Sequence, residues 1–178
     1  MDTKNFRLDL KALNENGTFE GRLAVYNNVD EGGDVIEPGA FTKTLQEGAG
    51  SVPLLWQHDT AQPIGTLSLR DSPQALLCKG VLVMSVPKAR EAYDLMKAGA
   101  VKGLSIGFKS VKDIAEGSVR RLKELRLFEG SVVTLPMNPE AVITGVKQQT
   151  TPDLETLEAF RNAARDIKDF HRRMIDGN

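Results

Sequence analysis

A serine between two glycines, in Gly103-Leu-Ser-Ile-Gly107, is the residue of this chain whose context most suggests a nucleophile. The Gly-x-Ser-x-Gly pattern belongs to the nucleophile elbow, in which a strand, a sharp turn at serine and a helix follow one another. Here a helical period precedes Ser105 and a strand-like run contains it, so the elbow reading fails on context. A serine hydroxyl still needs a base within hydrogen-bond reach, and a third group to fix the tautomer of that base. The chain has two histidines, His58 and His171. His171 falls at the end of a separate amphipathic segment. His58 lies upstream of the serine in "LLWQHDTAQPIG", at a strand end before a polar loop. Taken alone, it reads as a surface or hydrogen-bonded loop histidine. Taken with Ser105, it is the only upstream base available for acyl transfer.

Other reactive side chains read as structural. The lone Cys78 excludes an internal disulfide and a multi-cysteine metal site, and its setting in "LLCKG" is that of a core thiol in a strand. Asp30 and Asp34 in "VDEGGD" suggest a metal site at first sight. So dense a Gly/Asp loop is better explained by turn geometry, with the carboxylates capping backbone N–H groups. No cofactor and no metal are therefore expected.

These residues need elements to hold them. A length of 178 residues, 40 % of them hydrophobic and 26 % charged, suits one domain with a real core and an appendage. The net charge of −1 gives no global attraction to nucleic acid or membrane. No run reaches membrane-spanning length, and "MDTKNFRLDL" lacks an apolar signal region, so an intracellular soluble protein is expected.

Alternation of apolar and polar residues predicts strands in "FRLDLKAL", "TFEGRLAVY", "SVPLLWQH", "PIGTLSLRDS", "ALLCKGVLVM", "GLSIGFKSVKD" and "SVRRLKELRLFEGSVVT". The first two are joined by the Asn-Gly turn signal of a hairpin. "LPMNPEAVI" turns into a last short strand. Helices are predicted in "AFTKTLQEG", closed by Gly48, and in "PKAREAYDLMKAGAV", where Ala92, Leu95, Met96 and Ala100 share a helical spacing. About seven strands with two helices and no strict βαβ rhythm predict an α+β fold. Its body is a mostly antiparallel closed barrel with helices packed outside. After residue 147 the pattern changes. "KQQTTPD" is a polar linker, and an apolar stripe from Leu154 to Met174 predicts an amphipathic helix over about 153–175. Two regions are expected, 1–147 and 148–178.

Four segments, "GDVIEPGAF", "LLWQHDTAQPIGTL", "GLSIGF" and "LFEGSVVTLPMNPEA", together resemble the prohead maturation proteases of tailed bacteriophages, a family distantly related to the herpesvirus assemblins. Each motif is long, and all four occur in the family's order and spacing. The resemblance implies an assemblin-like barrel carrying a serine endopeptidase, with His58 as general base and Ser105 as nucleophile. Assemblins place a second histidine downstream of the serine, and no histidine occurs here between Ser105 and His171. The corresponding position falls in "LFEGSVVT" and makes Glu129 the candidate third member. Two alternatives stay open: a structural glutamate paired with Arg126, and Asp59 as the acid. Oxyanion donors are sought among backbone N–H groups near Gly103, Ser105 or Ile106, or in the turn "PMNP", which lacks the arginine that assemblins use.

The resemblance also implies substrates and place. The expected substrates are the major capsid protein with its scaffolding segment, the scaffold, and the protease itself. They would be cut inside a procapsid assembled in the bacterial cytoplasm. Separately, the apolar stripe of the terminal helix must bury itself, on its own barrel or by pairing with another copy or the scaffold, and self-association is expected. The balanced charge predicts no nucleic-acid or membrane partner. The rival reading is a catalytically silent assembly or scaffolding module.

Overall fold

The computed structural model describes residues 17–48 and 50–145. The expected strand "FRLDLKAL" with its Asn-Gly turn, the linker and the helix over 153–175 lie outside the described residues.

Among the described residues, eight strands and two helices follow in the order β1 (Thr18–Val25), β2 (Asp34–Ile36), α1 (Thr42–Gln46), β3 (Ser51–Trp56), β4 (Asp59–Asp71), β5 (Ala75–Leu82), α2 (Pro87–Lys97), β6 (Gly103–Glu116), β7 (Val119–Val133) and β8 (Ile143–Gly145). The alternating segments became strands because one face of each had a core to cover. In β1, Phe19 and Leu23 are buried at alternate positions; in β5, Leu76, Cys78 and Leu82 are. The thiol of Cys78 sits in that core, where burial pushes it up to about 12, so it is held unreactive as expected.

The sheet runs β2-β7-β3-β4-β5-β1-β8, with β6 on β7. Most pairs are antiparallel; β2 and β3 run parallel to β7. The closed barrel expected from the alternation is not formed. The sheet is a curled half-barrel, because β8 is only three residues long and cannot bridge the full height of β1 and β6. Among the described residues the two ends meet through one isolated bridge, Gly103 to Val142, supported by Leu104 N–H donating to Ala141 O at 2.8 Å. Beyond that bridge β1 and β6 diverge, and a cavity of about 140 Å³ opens between them.

Helix α2 starts at Pro87 and closes just before Gly99, whose φ of +71° suits a residue without a side chain. It buries Ala89, Ala92, Tyr93 and Met96. Leu95, expected on that face, is instead 38 % exposed, because one helical turn from Ala92 leads to Met96. Helix α1 is tied to β7 by Thr44, whose Oγ1 donates to Leu125 O at 2.7 Å.

Loop 28–34 is ordered as its composition predicts. Asp30 Oδ1 accepts from Gly32 N–H at 2.8 Å and from Asp34 N–H at 2.9 Å. Asp34 binds Arg120 through both carboxylate oxygens, at 2.8 and 2.5 Å. Both carboxylates hold backbone and strand in place.

Candidate active site

Three elements converge on one face of β7. The first is the antiparallel ladder of β6 on β7, in which Gly103 faces Val133, Ser105 faces Ser131 and Gly107 faces Glu129. Directly opposed residues project from the same side of the sheet, with Cβ atoms about 4.5–5.5 Å apart. Ser105, Ser131 and Glu129 therefore share a face. The next ladder step carries a bulge, with Gly107 and Phe108 opposed by Glu129 and Leu127. Phe128 is the extra residue and stands 51 % exposed, which explains an aromatic pointing away from the core.

The second element is the turn between β3 and β4. Trp56 pairs with Asp59, leaving a two-residue hairpin loop of Gln57 and His58 with φ of 54° and 61°. Both signs fit the I′ turn that suits the twist of a hairpin. Such a loop ordinarily takes Asn or Gly, and a left-handed residue with a side chain costs about 1–3 kcal/mol. Bonds to β7 and to Thr134 just beyond its end offset this. Gln57 N–H donates to Val132 O at 3.0 Å, and Gln57 Nε2 to Thr134 Oγ1 at 2.7 Å. His58 N–H donates to Ser131 Oγ at 3.0 Å. The strain is spent on placing the imidazole over the strand.

The third element is the carboxylate. Glu129 is only 8 % exposed and receives two hydrogen bonds. His58 Nδ1 lies 2.6 Å from Oε1, and Ser131 Oγ donates to Oε2 at 2.8 Å. An ionised carboxylate only accepts, so the proton of the neutral imidazole sits on Nδ1 and the Nε2 lone pair is free. Ser131 accepts from the histidine backbone and donates to the glutamate, which joins turn, imidazole and carboxylate in one network. The hydrogen bond that His58 donates to Glu129 raises its affinity for its proton, against a smaller opposing effect of burial. No hydrogen bond joins Ser105 Oγ to His58, and the ladder places the serine on the shared face rather than in contact with the imidazole.

Gly107 leaves room for the carboxylate. A Cβ there would stand 2.2 Å from Glu129 Oε1 and 2.9 Å from its Cδ. The second glycine of Gly-x-Ser-x-Gly is thus explained by Glu129 rather than by a turn.

The structure therefore brings together two of the three predicted residues, His58 and Glu129, in direct contact, and sets Ser105 across the ladder from Ser131. The alternatives are placed elsewhere. Asp59 caps its own loop, accepting from Ala61 N–H at 2.9 Å and Gln62 Nε2 at 2.8 Å. Arg126 lies over the Phe128 ring at 5.8 Å rather than on Glu129. Sequence reading missed Ser131, although its distance of two residues from Glu129 was a signal, since alternate residues share a strand face. It missed Gln57 because nothing in Gln-His announces a left-handed turn. Among the described residues no group of three or more His, Cys, Asp and Glu is placed to hold a metal, and no helix is long and apolar enough to cross a membrane.

The chain is similar to several known proteins. Residues 6–155 match the family described as caudovirus prohead serine protease. The prohead protease of Enterobacteria phage HK97 is 34 % identical over 157 residues, which cover 84 % of this chain and 68 % of that protein. Among solved structures, the bacteriophage T4 capsid assembly protease gp21 has a TM-score of 0.53 at 10 % identity, over 65 % of this chain and 81 % of that one. A KSHV protease bound to a hexapeptide phosphonate inhibitor gives 0.49 at 15 % identity, over 70 % of this chain and 62 % of that one. The match to the family spans all of the described residues. The chain belongs to the caudovirus prohead serine protease family, and it is a serine peptidase of prohead maturation.

Proposed function

We propose that Ser105 is the nucleophile, His58 the general base and Glu129 the group that orients the base. The observation that carries this reading is the Glu129–His58 contact on the sheet face that Ser105 also occupies. His58 Nε2 takes the proton of Ser105 as its Oγ bonds to the peptide carbonyl carbon. The imidazolium then gives that proton to the leaving amine as the C–N bond breaks. Water, deprotonated by the same nitrogen, attacks the acyl-enzyme and restores the serine hydroxyl. Glu129 stays ionised throughout and stabilises the imidazolium. Ser131 holds Glu129 and the His58 backbone in register.

A prohead protease has a capsid-related role and acts within the procapsid. Its substrates in this reading are the scaffolding segment of the major capsid protein, separate scaffold, and its own chain, after shell assembly in the bacterial cytoplasm. In this reading 1–147 is the catalytic region, and 148–178, a linker followed by an amphipathic segment over about 153–175, is an association element that keeps copies of the protease in the shell. Deleting that segment should lower the molar mass in solution while peptide hydrolysis persists. Neither a nucleic-acid nor a membrane partner is needed for this role. The deciding experiment is co-expression with the cognate capsid protein, beside a Ser105→Ala control. Fragments with the native chain and none with the control are expected; intact capsid protein and normal shells with both would favour a silent assembly module.

The pH dependence follows from the pair. Only neutral His58 is a base, so kcat/KM should rise with pH through a midpoint above the ordinary histidine value of about 6.5, because Glu129 raises the pKa. Stability has the opposite sign. The contribution of this pair is complete below about 6.5, the unfolded value, and is lost as pH rises through the folded value. A rate flat from about pH 5 to 9 would remove histidine as the base.

Gly107→Ala should lower kcat about 10²-fold or more, the cost of misplacing a reacting group by about an ångström. The added methyl must displace Glu129, while overpacking of this kind costs about 1–3 kcal/mol in stability. Peptide hydrolysis and thermal melting, measured on the same sample, separate the two effects. Unchanged turnover would mean that the position of the carboxylate is unimportant.

A further inference from the structure

The cavity at the open seam has a use that the triad does not supply. It lies where β1 and β6 part, and its lining includes Ser105 itself. Leu23 and Ile36 form part of the wall, Ile106 and Phe108 follow the serine along β6 and turn their side chains to the core face opposite Ser131 and Glu129, and Met137 stands at the mouth, 52 % exposed. The polar groups at the rim are already engaged. The amides of Asn28 and Asn138 bind each other at 2.9 and 3.0 Å, and Asp34 is held by Arg120. Asp30 Oδ1 carries two backbone N–H groups of its own loop. What the cavity offers a ligand is apolar wall.

We infer that this cavity is the specificity subsite for the cleaved polypeptide, and that it takes an aliphatic side chain of about the size of leucine or methionine. The inference rests on Ser105 being the nucleophile. A peptide whose scissile carbonyl lies at Ser105 advances about 3.3 Å per residue along the β6 edge, so a side chain within a residue or two of the cut reaches the seam. A volume of about 140 Å³ admits one branched or linear aliphatic chain, and the apolar wall gives no compensation for burying a charge. Phe108 and Met137 are the selectivity residues, because they border the opening without belonging to the Ser105, His58 and Glu129 group.

The test is to cleave a mixture of peptides randomised around the cut with the full chain, and to identify the products by mass spectrometry. One position near the cut should favour Leu, Met or Ile over Ala by about tenfold or more in kcat/KM, as methylene-scale discrimination in an apolar pocket allows. Met137→Ala, which widens the mouth, should shift that position toward Phe and Trp. Met137→Trp, which narrows it, should shift it toward Ala and Val. Phe108→Leu, on another wall, should also broaden acceptance toward larger side chains. Labelling of each variant at Ser105 by a fluorophosphonate, at whatever rate, shows that the fold and the nucleophile are intact. Labelling with an unchanged profile in all variants, or a preference for Lys or Arg at that position, would overturn the subsite assignment. Loss of the label on native protein would instead overturn Ser105 as nucleophile.

Discussion

Ser105→Ala should reduce peptide hydrolysis by roughly 10⁶-fold, to the residual rate that binding and backbone donors sustain when a triad loses its nucleophile. The fold should survive, since the change removes one hydroxyl from a half-buried strand position and the ladder to Ser131 is backbone. His58→Ala should have a similar effect, but it also replaces the side chain at a left-handed position. His58→Asn is the cleaner removal of the base, because asparagine tolerates that conformation and its backbone N–H still reaches Ser131 Oγ. Residues acting as one unit are not additive, so Ser105→Ala with His58→Asn should be hardly worse than either alone. Single-turnover hydrolysis of a capsid-derived peptide reads all three. Wild-type turnover by Ser105→Ala would sink the nucleophile assignment.

The parts of this site differ in how visibly they are written in the sequence. His58 stands out because histidine occurs only twice in the chain, and Ser105 because of the glycines on either side of it, and strand alternation placed their elements well. Glu129 required the parity of a long strand, and parity alone was ambiguous there. β7 is buried on both faces from Glu129 to Val133, and the bulge at Phe128 breaks the count. Leu135 continues the alternation that runs through Glu129, Ser131 and Val133, yet it is 87 % exposed because β7 has already ended at Val133. Closure of the barrel was unreadable for a different reason. Alternation reports which face of a strand is buried, not whether the end strands are long enough to pair. Three residues of β8 decide that, and the resulting gap is what exposes the edge beside Ser105. The Gln57–His58 turn was hidden because its stabilisation comes from β7, far away in sequence.

Glu129→Gln should lower kcat by about 10⁴, the loss that the equivalent Asp→Asn change causes in a chymotrypsin-like triad, while leaving the domain folded. The amide has the shape of the carboxylate, so the space beside Gly107 stays filled. Its chemistry differs at both contacts. Ser131 Oγ keeps an acceptor only if the amide oxygen turns toward it, and the NH₂ then points at His58 Nδ1. Donating into Nδ1 forces the imidazole proton onto Nε2, the nitrogen that must accept from Ser105. The opposite amide orientation keeps the tautomer but leaves the imidazolium without a counter-charge in the transition state. Either way the base is lost or weakened. The pH profile separates this account from simple structural damage. Without the carboxylate, His58 loses the main interaction that raises its pKa, so the midpoint of the residual activity should fall toward or below the ordinary histidine value. The extra stability that protonated His58 gives the native chain at low pH should vanish with it. A Glu129→Gln protein of nearly full activity whose midpoint has not moved, beside an Asp59→Asn protein that is dead, would transfer the role of the acid to Asp59.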